Sequence, residues 1–441
     1  MVSEKHVIGF CDLPSNVDSF GIENYIEGLA RFVLNCETPL VVAIQGDWGT
    51  GKSSIMEMVV RKIKETDERG FVVFFNTWQF SQFNLGDQLP IIMLQHLTQM
   101  IAGKDGDTLE TAKKIGSALL KISSSAIKKL TNGVLDIRDV IPAGENKADL
   151  VEQIKNLKDN FQSLIDQRAG SEGRVIIFVD DLDRLEPARA VEVLEVLKVF
   201  CDCKKCVFIL ALDYDVVVLG VKSKYGDDFD SSKAKSFFDK IIQVPFRMPV
   251  QKYKIERFVG QYLQKMGFSV ESDNTDLQTY VKFIRHSVGN NPRSMKRLFN
   301  SFQLLGYISP LAFGSRDGGP SENGNVRKLF ALLCMQASFD KIYNHILENS
   351  KVLSADLFKN LKDEDFQLYK ELFSDRDEIR RCALFFNDFY DLLDDNDDGS
   401  VSEDELRSFA EILDYSSITS SSNSAAMNLD DFLDSIDSLF D

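Results

Sequence analysis

The residues best suited to chemistry lie at 46–53, Gly46-Asp47-Trp48-Gly49-Thr50-Gly51-Lys52-Ser53. The run fits the phosphate-binding pattern G-x-x-x-x-G-K-[ST], with an apolar stretch, Leu40–Gln45, before it and an amphipathic one, Lys52–Glu65, after it. Glycines let backbone N–H groups curl around phosphate oxygens where a Cβ would collide, and the following helix presents its positive end. Lys52 would reach the β- and γ-phosphates and the Ser53 hydroxyl would bind magnesium. Asp47, Trp48, Thr50 and Ser54 complete the expected nucleotide contacts.

Such a loop needs a second carboxylate at the end of another strand. Val175-Ile176-Ile177-Phe178-Val179-Asp180-Asp181-Leu182-Asp183-Arg184 supplies it. Asp180 is the expected magnesium carboxylate, and Asp181 is placed to orient or deprotonate an attacking water, with Asp183 able to share that task. Three crowded carboxylates require a cation nearby, which magnesium and Arg184 would provide. Asn146-Lys147-Ala148-Asp149 matches the guanine-reading N-K-x-D pattern, but it precedes the acidic strand and opens a helix. Adenine is therefore the expected base, and MgATP the expected ligand.

A second metal pattern stands at 394–405. Asp394, Asn396 and Asp398 occupy positions one, three and five of a twelve-residue EF-hand loop. Gly399 stands at six, Ser400 at seven with its carbonyl, Val401 at eight, Ser402 at nine and Glu405 at twelve, so calcium is the expected ion. A degenerate partner loop is legible at Ser420, Ser422, Ser424 and Asp431, with neutral serines that would hold calcium poorly. Cys201, Cys203 and Cys206 lack a fourth zinc ligand nearby and read as partly buried thiols in a turn.

The elements that must position these groups alternate. Apolar runs at Leu40–Gln45, Phe71–Asn76, Val175–Val179, Val207–Leu212 and Ile242–Phe246 predict central parallel strands. An insertion at about 102–169 carries two amphipathic stretches, Thr111–Leu130 and Val151–Ile165. Beyond Pro249 the spacing predicts helices at Lys252–Met266, Leu277–Val288, Ser294–Leu305 and Val326–Asn349, with a glycine-rich linker at 313–325. Helices Asp377–Leu393 and Glu403–Leu413 would flank the acidic loop. The expected domains are a nucleotide-binding core over 1–250, a helical lid over 251–312, a helical segment over 326–376 and an acidic region over 377–441.

Of the net charge of −17, −14 belongs to residues 391–441, where fifteen acids face one base, Arg407. The rest of the chain is nearly neutral, which disfavours nonspecific nucleic-acid binding. No apolar run approaches a membrane span. The first nine residues lack a secretion-signal layout and the seven scattered cysteines suggest no disulfide framework, so a cytoplasmic location is expected.

With these residues in place, the chain resembles the KAP family of P-loop NTPases. The likeness rests on Asp18-Ser19-Phe20-Gly21 with Tyr25–Phe32, on Trp48 within the loop, on Phe75-Asn76-Thr77-Trp78 and on Asp180-Asp181-Leu182-Asp183-Arg184. It extends to Asp213 after the fourth strand, Phe237–Pro249 and Asn291-Pro292-Arg293, covering about residues 10–305. The resemblance implies an α/β three-layer sandwich with a parallel sheet of the additional-strand P-loop type, a helical lid and, here, a C-terminal helical segment ending in the EF-hand-like loop. It further implies Asn76 near the γ-phosphate or its water, Asp213 as a γ-phosphate sensor and Arg293, with Lys296 and Arg297, as an ATP sensor on the lid. Some members take part in phage exclusion and others in membrane-associated signalling. Members often carry transmembrane helices in the insertion; this one is amphipathic and lysine-bearing, which leaves at most peripheral membrane contact through Thr111–Leu130. The expected activity is ATP hydrolysis driving a conformational or assembly switch with a protein partner or a second copy. A nucleotide-gated scaffold with little turnover is the alternative, and a nucleic-acid-stimulated motor a more distant one.

Overall fold

The computed structural model describes residues 9–81, 88–104, 106–121, 147–225, 235, 237–268, 275–308 and 324–419. The linker expected at 313–325 falls almost wholly outside them, as do the degenerate second loop from Ser420 and the far half of the Thr111–Leu130 stretch. The chain divides into two compact units, one of Pro14–Asp18 with Ile22–Pro249, the other of Met1–Leu13, Ser19–Gly21 and Val250–Asp441.

The first unit is built on five parallel strands, β1 (Leu40–Gln45), β2 (Gly70–Asn76), β3 (Arg174–Asp180), β4 (Cys206–Leu212) and β5 (Val244–Arg247), in the order β2-β3-β4-β1-β5. These apolar runs form central strands because both faces are covered. Alternate side chains (Val41, Ala43, Val175, Ile177, Phe208 and Leu210) join one core with helices α3 (Trp78–Ser81), α4 (Leu89–Ala102), α5 (Gly106–Lys121), α6 (Lys147–Ala169), α7 (Pro187–Lys198) and α8 (Tyr214–Tyr225). The intervening residues, among them Val42, Ile44, Ile176 and Ile209, are buried on the opposite face. Helices α1 (Glu23–Asn35) and α2 (Lys52–Thr66) pack together on that side. The result is a three-layer α/β sandwich in which β4 separates the strand leading to the phosphate loop from the acidic strand. In the insertion, Ile115 and Leu119 lie inside the core, so the described part of that amphipathic face is covered by its own unit and is not open to a membrane surface.

Register brings the functional strand ends level. Asn76 pairs with Asp180, Val179 with Leu210, and Gln45 with Leu212 and Arg247. Gly46, Asn76, Asp180 and Asp213 therefore all stand at the carboxyl edge of the sheet, the side on which open α/β sheets bind ligands.

The second unit is helical. Its core runs without interruption from Ile255 to Leu413 and includes Phe299, Phe330, Phe385, Phe389 and Phe409. Among the described residues nine helices contribute: α9 (Ile255–Lys265), α10 (Thr275–His286), α11 (Pro292–Ile308), α12 (Gly324–Ser338), α13 (Asp340–Glu348), α14 (Ala355–Asn360), α15 (Gln367–Leu372), α16 (Arg376–Leu393) and α17 (Glu403–Ser416). The helical stretch expected over Val326–Asn349 forms two helices, α12 and α13, divided at Phe339, whose buried ring and φ of −132° turn the chain between them. No described helix is long and apolar enough to cross a membrane.

Candidate functional site

At the end of β1 the chain turns through two left-handed glycines, Gly49 (φ 86°) and Gly51 (φ 98°), the second of which opens α2. Gly46 has no room for a side chain: a Cβ there would meet Thr50 Oγ1 at 2.8 Å and Met248 Cγ at 2.9 Å. Thr50 ties the loop by donating its hydroxyl to the Asp47 carbonyl at 2.7 Å. Lys52 is buried, and its ammonium donates to the Gly46 carbonyl at 2.7 Å and the Asp47 carbonyl at 3.2 Å while pairing with Asp183 Oδ2 at 2.8 Å. The two carbonyls accept hydrogen bonds from the ammonium group, and Asp183 supplies its counter-charge. Trp48 is 65% exposed, and the Ser54 hydroxyl accepts the Ser15 N–H at 3.0 Å.

The acidic strand end meets this loop. Asp180 is buried and accepts hydrogen bonds from the Ser53 side chain and from the Asp181 N–H. Burial, followed by the neighbouring Asp181 charge, pushes its carboxyl up to about 6 against the pull of those hydrogen bonds. A hydroxyl beside a carboxylate is a hard-oxygen donor set that fits magnesium. Asp181 has a left-handed backbone, φ 60°. Its Oδ2 accepts from Asn76 Nδ2 at 2.7 Å and its Oδ1 pairs with Arg184 Nε at 2.7 Å. Asn76 Oδ1 in turn accepts the Trp78 N–H at 2.8 Å, so both ends of that amide are engaged by protein. Asp213 follows β4, accepts the Asp215 N–H and is raised by its own burial, with Lys52 close enough to pull it back.

Sequence reasoning missed the role of Thr77. It is fully buried and bonds the Asp180 carbonyl twice, from its N–H and its hydroxyl, each at 3.0 Å. Its place in Phe75-Asn76-Thr77-Trp78 was the only signal.

In the helical unit, Arg293 at the start of α11 pairs with Asp12 at 2.6 Å. Lys296, one turn on, reaches the carbonyls of Cys11 and Leu13, so both bases hold the chain's own N-terminal stretch. In the loop at 394–405, Asp397 (φ 59°) and Gly399 (φ 84°) are left-handed and Val401 is buried in the helical core. Asp394 accepts the N–H groups of Asp398 and Gly399, and Asn396 that of Asp398. Glu405 accepts from Asp395 and Ser402 at 2.7 Å each and forms a capping box with Ser402 at the start of α17. The Ser402 N–H is the main cause that holds the Glu405 carboxyl below its ordinary value. Asp395, the second loop residue, pairs at 2.6 Å with Lys328, whose side chain is wholly buried. Among the described residues, no group of three or more His, Cys, Asp or Glu side chains stands ready to hold a metal ion. Cys201, Cys203 and Cys206 are buried and burial pushes their thiols up, that of Cys203 to about 12, which suits inert packing rather than metal binding.

Over 274 residues the chain is 23% identical to the phage T7 exclusion protein of Escherichia coli K12, an alignment taking in 54% of this chain and 34% of that protein. The chain thus spans about a third of the length of that relative. The structure of the Aeropyrum pernix ORC1 protein in complex with DNA covers 92% of this chain and 86% of its own, at 14% identity and a TM-score of 0.38, a likeness too loose to carry an argument. The family model for the KAP family P-loop domain matches residues 22–309, well over half of the sequence and inclusive of both nucleotide motifs. On that match the chain belongs to the KAP family of P-loop NTPases.

Proposed function

We propose that the chain binds MgATP at residues 46–54 and hydrolyses it, and that the cycle drives a conformational or assembly switch. The observation that carries this reading is the buried pair of Lys52 with Asp183 at 2.8 Å, which ties the glycine loop to the acidic strand end beside Asp180. Lys52 would exchange its carbonyl partners for phosphate oxygens, and Ser53 and Asp180 would hold the magnesium. That ion supplies charge neutralisation at the phosphates. Asp181 would take the proton of the attacking water, as the water oxygen bonds the γ-phosphorus and the bond from that phosphorus to the diphosphate breaks. Asp213 and Arg293 remain the proposed γ-phosphate and lid sensors. The similarity to a phage exclusion protein supports a place in defence against phage, with a protein partner or a second copy as the receiver of the switch.

Nucleotide affinity and phosphate release test the reading directly. Wild type should bind MgATP and release phosphate, Lys52→Ala should lose binding, and Asp181→Asn should keep binding but lose turnover by about a hundredfold or more. If wild type and Asp181→Asn bind alike and release phosphate equally slowly, the chain is a nucleotide-gated scaffold. Failure of wild type to bind MgATP at all would overturn both.

A calcium site at 394–405 is favoured by one further observation. The buried Glu405 carboxylate bridges the two ends of the loop through Asp395 and Ser402, which supports it as the closing, twelfth-position ligand. Calcium titration by calorimetry should show one site that Glu405→Gln removes. No heat in wild type at millimolar calcium would end this proposal.

A further inference from the structure

The carboxylate assigned to activate water is gripped by side chains that face it rather than a phosphate. Asp181 has a left-handed backbone, which a non-glycine residue keeps only where its surroundings over-determine it. They do so here. Asn76 holds Oδ2 and Arg184 holds Oδ1, both at 2.7 Å. Each holder is itself fixed by Trp78, whose N–H binds Asn76 Oδ1 at 2.8 Å and whose ring lies 4.8 Å from the Arg184 guanidinium. Thr77 adds two bonds to the Asp180 carbonyl. The segment 76–78 is thus stitched to 180–184 from both sides of the Asp181 carboxylate.

The geometry points to Asn76 and Arg184 as positioning residues of Asp181, with Trp78 as the outer brace of the clamp. The inference rests on the reading that Asp181 takes the proton of the attacking water. A carboxylate has about four lone-pair directions, so two partners stop its rotation and still leave others for water. Asn76 acts through Asp181, to whose Oδ2 its amide nitrogen donates at 2.7 Å while the Trp78 backbone N–H fixes its carbonyl. Trp78 is 44% exposed, which makes the brace the part of the clamp that faces solvent.

The test is a split of kcat from KM for MgATP in the full chain. Asn76→Ala should lower kcat by about tenfold to a hundredfold, the scale of a 1 Å misplacement, with KM within about threefold of wild type. Trp78→Ala should also lower kcat, and Trp78→Phe, which keeps an aromatic face over Arg184, should restore most of it. Thermal melts of each variant accompany the kinetics. A merely structural role would lower the melting temperature or raise KM without a kcat loss that the aromatic replacement rescues. Asn76→Leu, close in size but without the donor and without a new charge, should match Asn76→Ala and guards against a simple folding defect. Unchanged kcat in Asn76→Ala, alongside an inactive Asp181→Asn, overturns the positioning role and leaves the hydrolase reading standing. A rise in kcat overturns it too and marks the contact as a restraint. Turnover in Asp181→Asn equal to wild type overturns the premise itself, and with it the clamp.

Discussion

Asp183 and Asp180 stand within one turn of each other, yet they solve opposite problems. Asp183 neutralises Lys52, with both side chains under a tenth exposed, whereas Asp180 has no cation of its own and is raised chiefly by burial. Removing a partner from a buried pair strands the other charge. Asp183→Asn should therefore destabilise nucleotide-free protein by on the order of 3 kcal/mol, a fall of several degrees in the melt. Asp180→Asn should raise the melting temperature without metal, since it removes a buried carboxylate and keeps the shape, and should abolish the further gain from MgATP. A lower melt for Asp180→Asn without metal would mean that the Ser53 and Asp181 hydrogen bonds outweigh the burial. Asp180, Ser53 and Lys52 could be proposed from the sequence because their spacing is local and stereotyped. The Asp183 partnership could not, because a carboxylate near two others has several possible roles until the strand register brings α2 beside it.

At the scale of elements, the apolar runs marked all five strands to within two or three residues, because a strand covered on both faces needs β-branched and aromatic residues throughout. Helix α12 was harder to read. Residues Leu329 to Met335 are all buried, so it has no polar face to show a period, and the turn at Phe339 carries no proline or glycine. Its Lys328 would pass for a surface charge. It is instead wholly buried and tied to Asp395, which is half exposed. The pair therefore predicts an asymmetry. Asp395→Ala should cost roughly 2 kcal/mol in urea unfolding, short of the 3–5 of a fully buried pair because water reaches Asp395, whereas Lys328→Met should be near neutral. Equal losses in the two variants would mean that the ion pair itself, and not the stranded ammonium, carries the stability. The Arg293–Asp12 pair was equally hidden, since nothing local tells a lysine- and arginine-bearing helix start that the N-terminal stretch will supply its counterion.

Across the whole molecule, the two hydrophobic cores share no residue: one ends at Ile242 and the other begins at Ile255. Every proposed phosphate-loop and acidic-strand contact belongs to the sheet unit, while the acidic loop at 394–405 belongs to the helical one. A ligand stabilises the structure that holds it, by about 2.7 kcal/mol at a hundred times its dissociation constant. Amide hydrogen exchange reads that stabilisation locally. MgATP should slow exchange in β1, β3, β4 and the first turns of α2, and Lys52→Ala should abolish the effect. Calcium should slow exchange at Asp395, Gly399 and Ser402 and along α17 in wild type but not in Glu405→Gln. The two ligands thus make separable marks, and any exchange change that MgATP produces at 394–405 measures how far the nucleotide state is felt in the other core. Protection by MgATP confined to the helical unit, with β1 and β3 unchanged, would place the nucleotide elsewhere than at the glycine loop and would undo the assignment of Lys52 and Asp180.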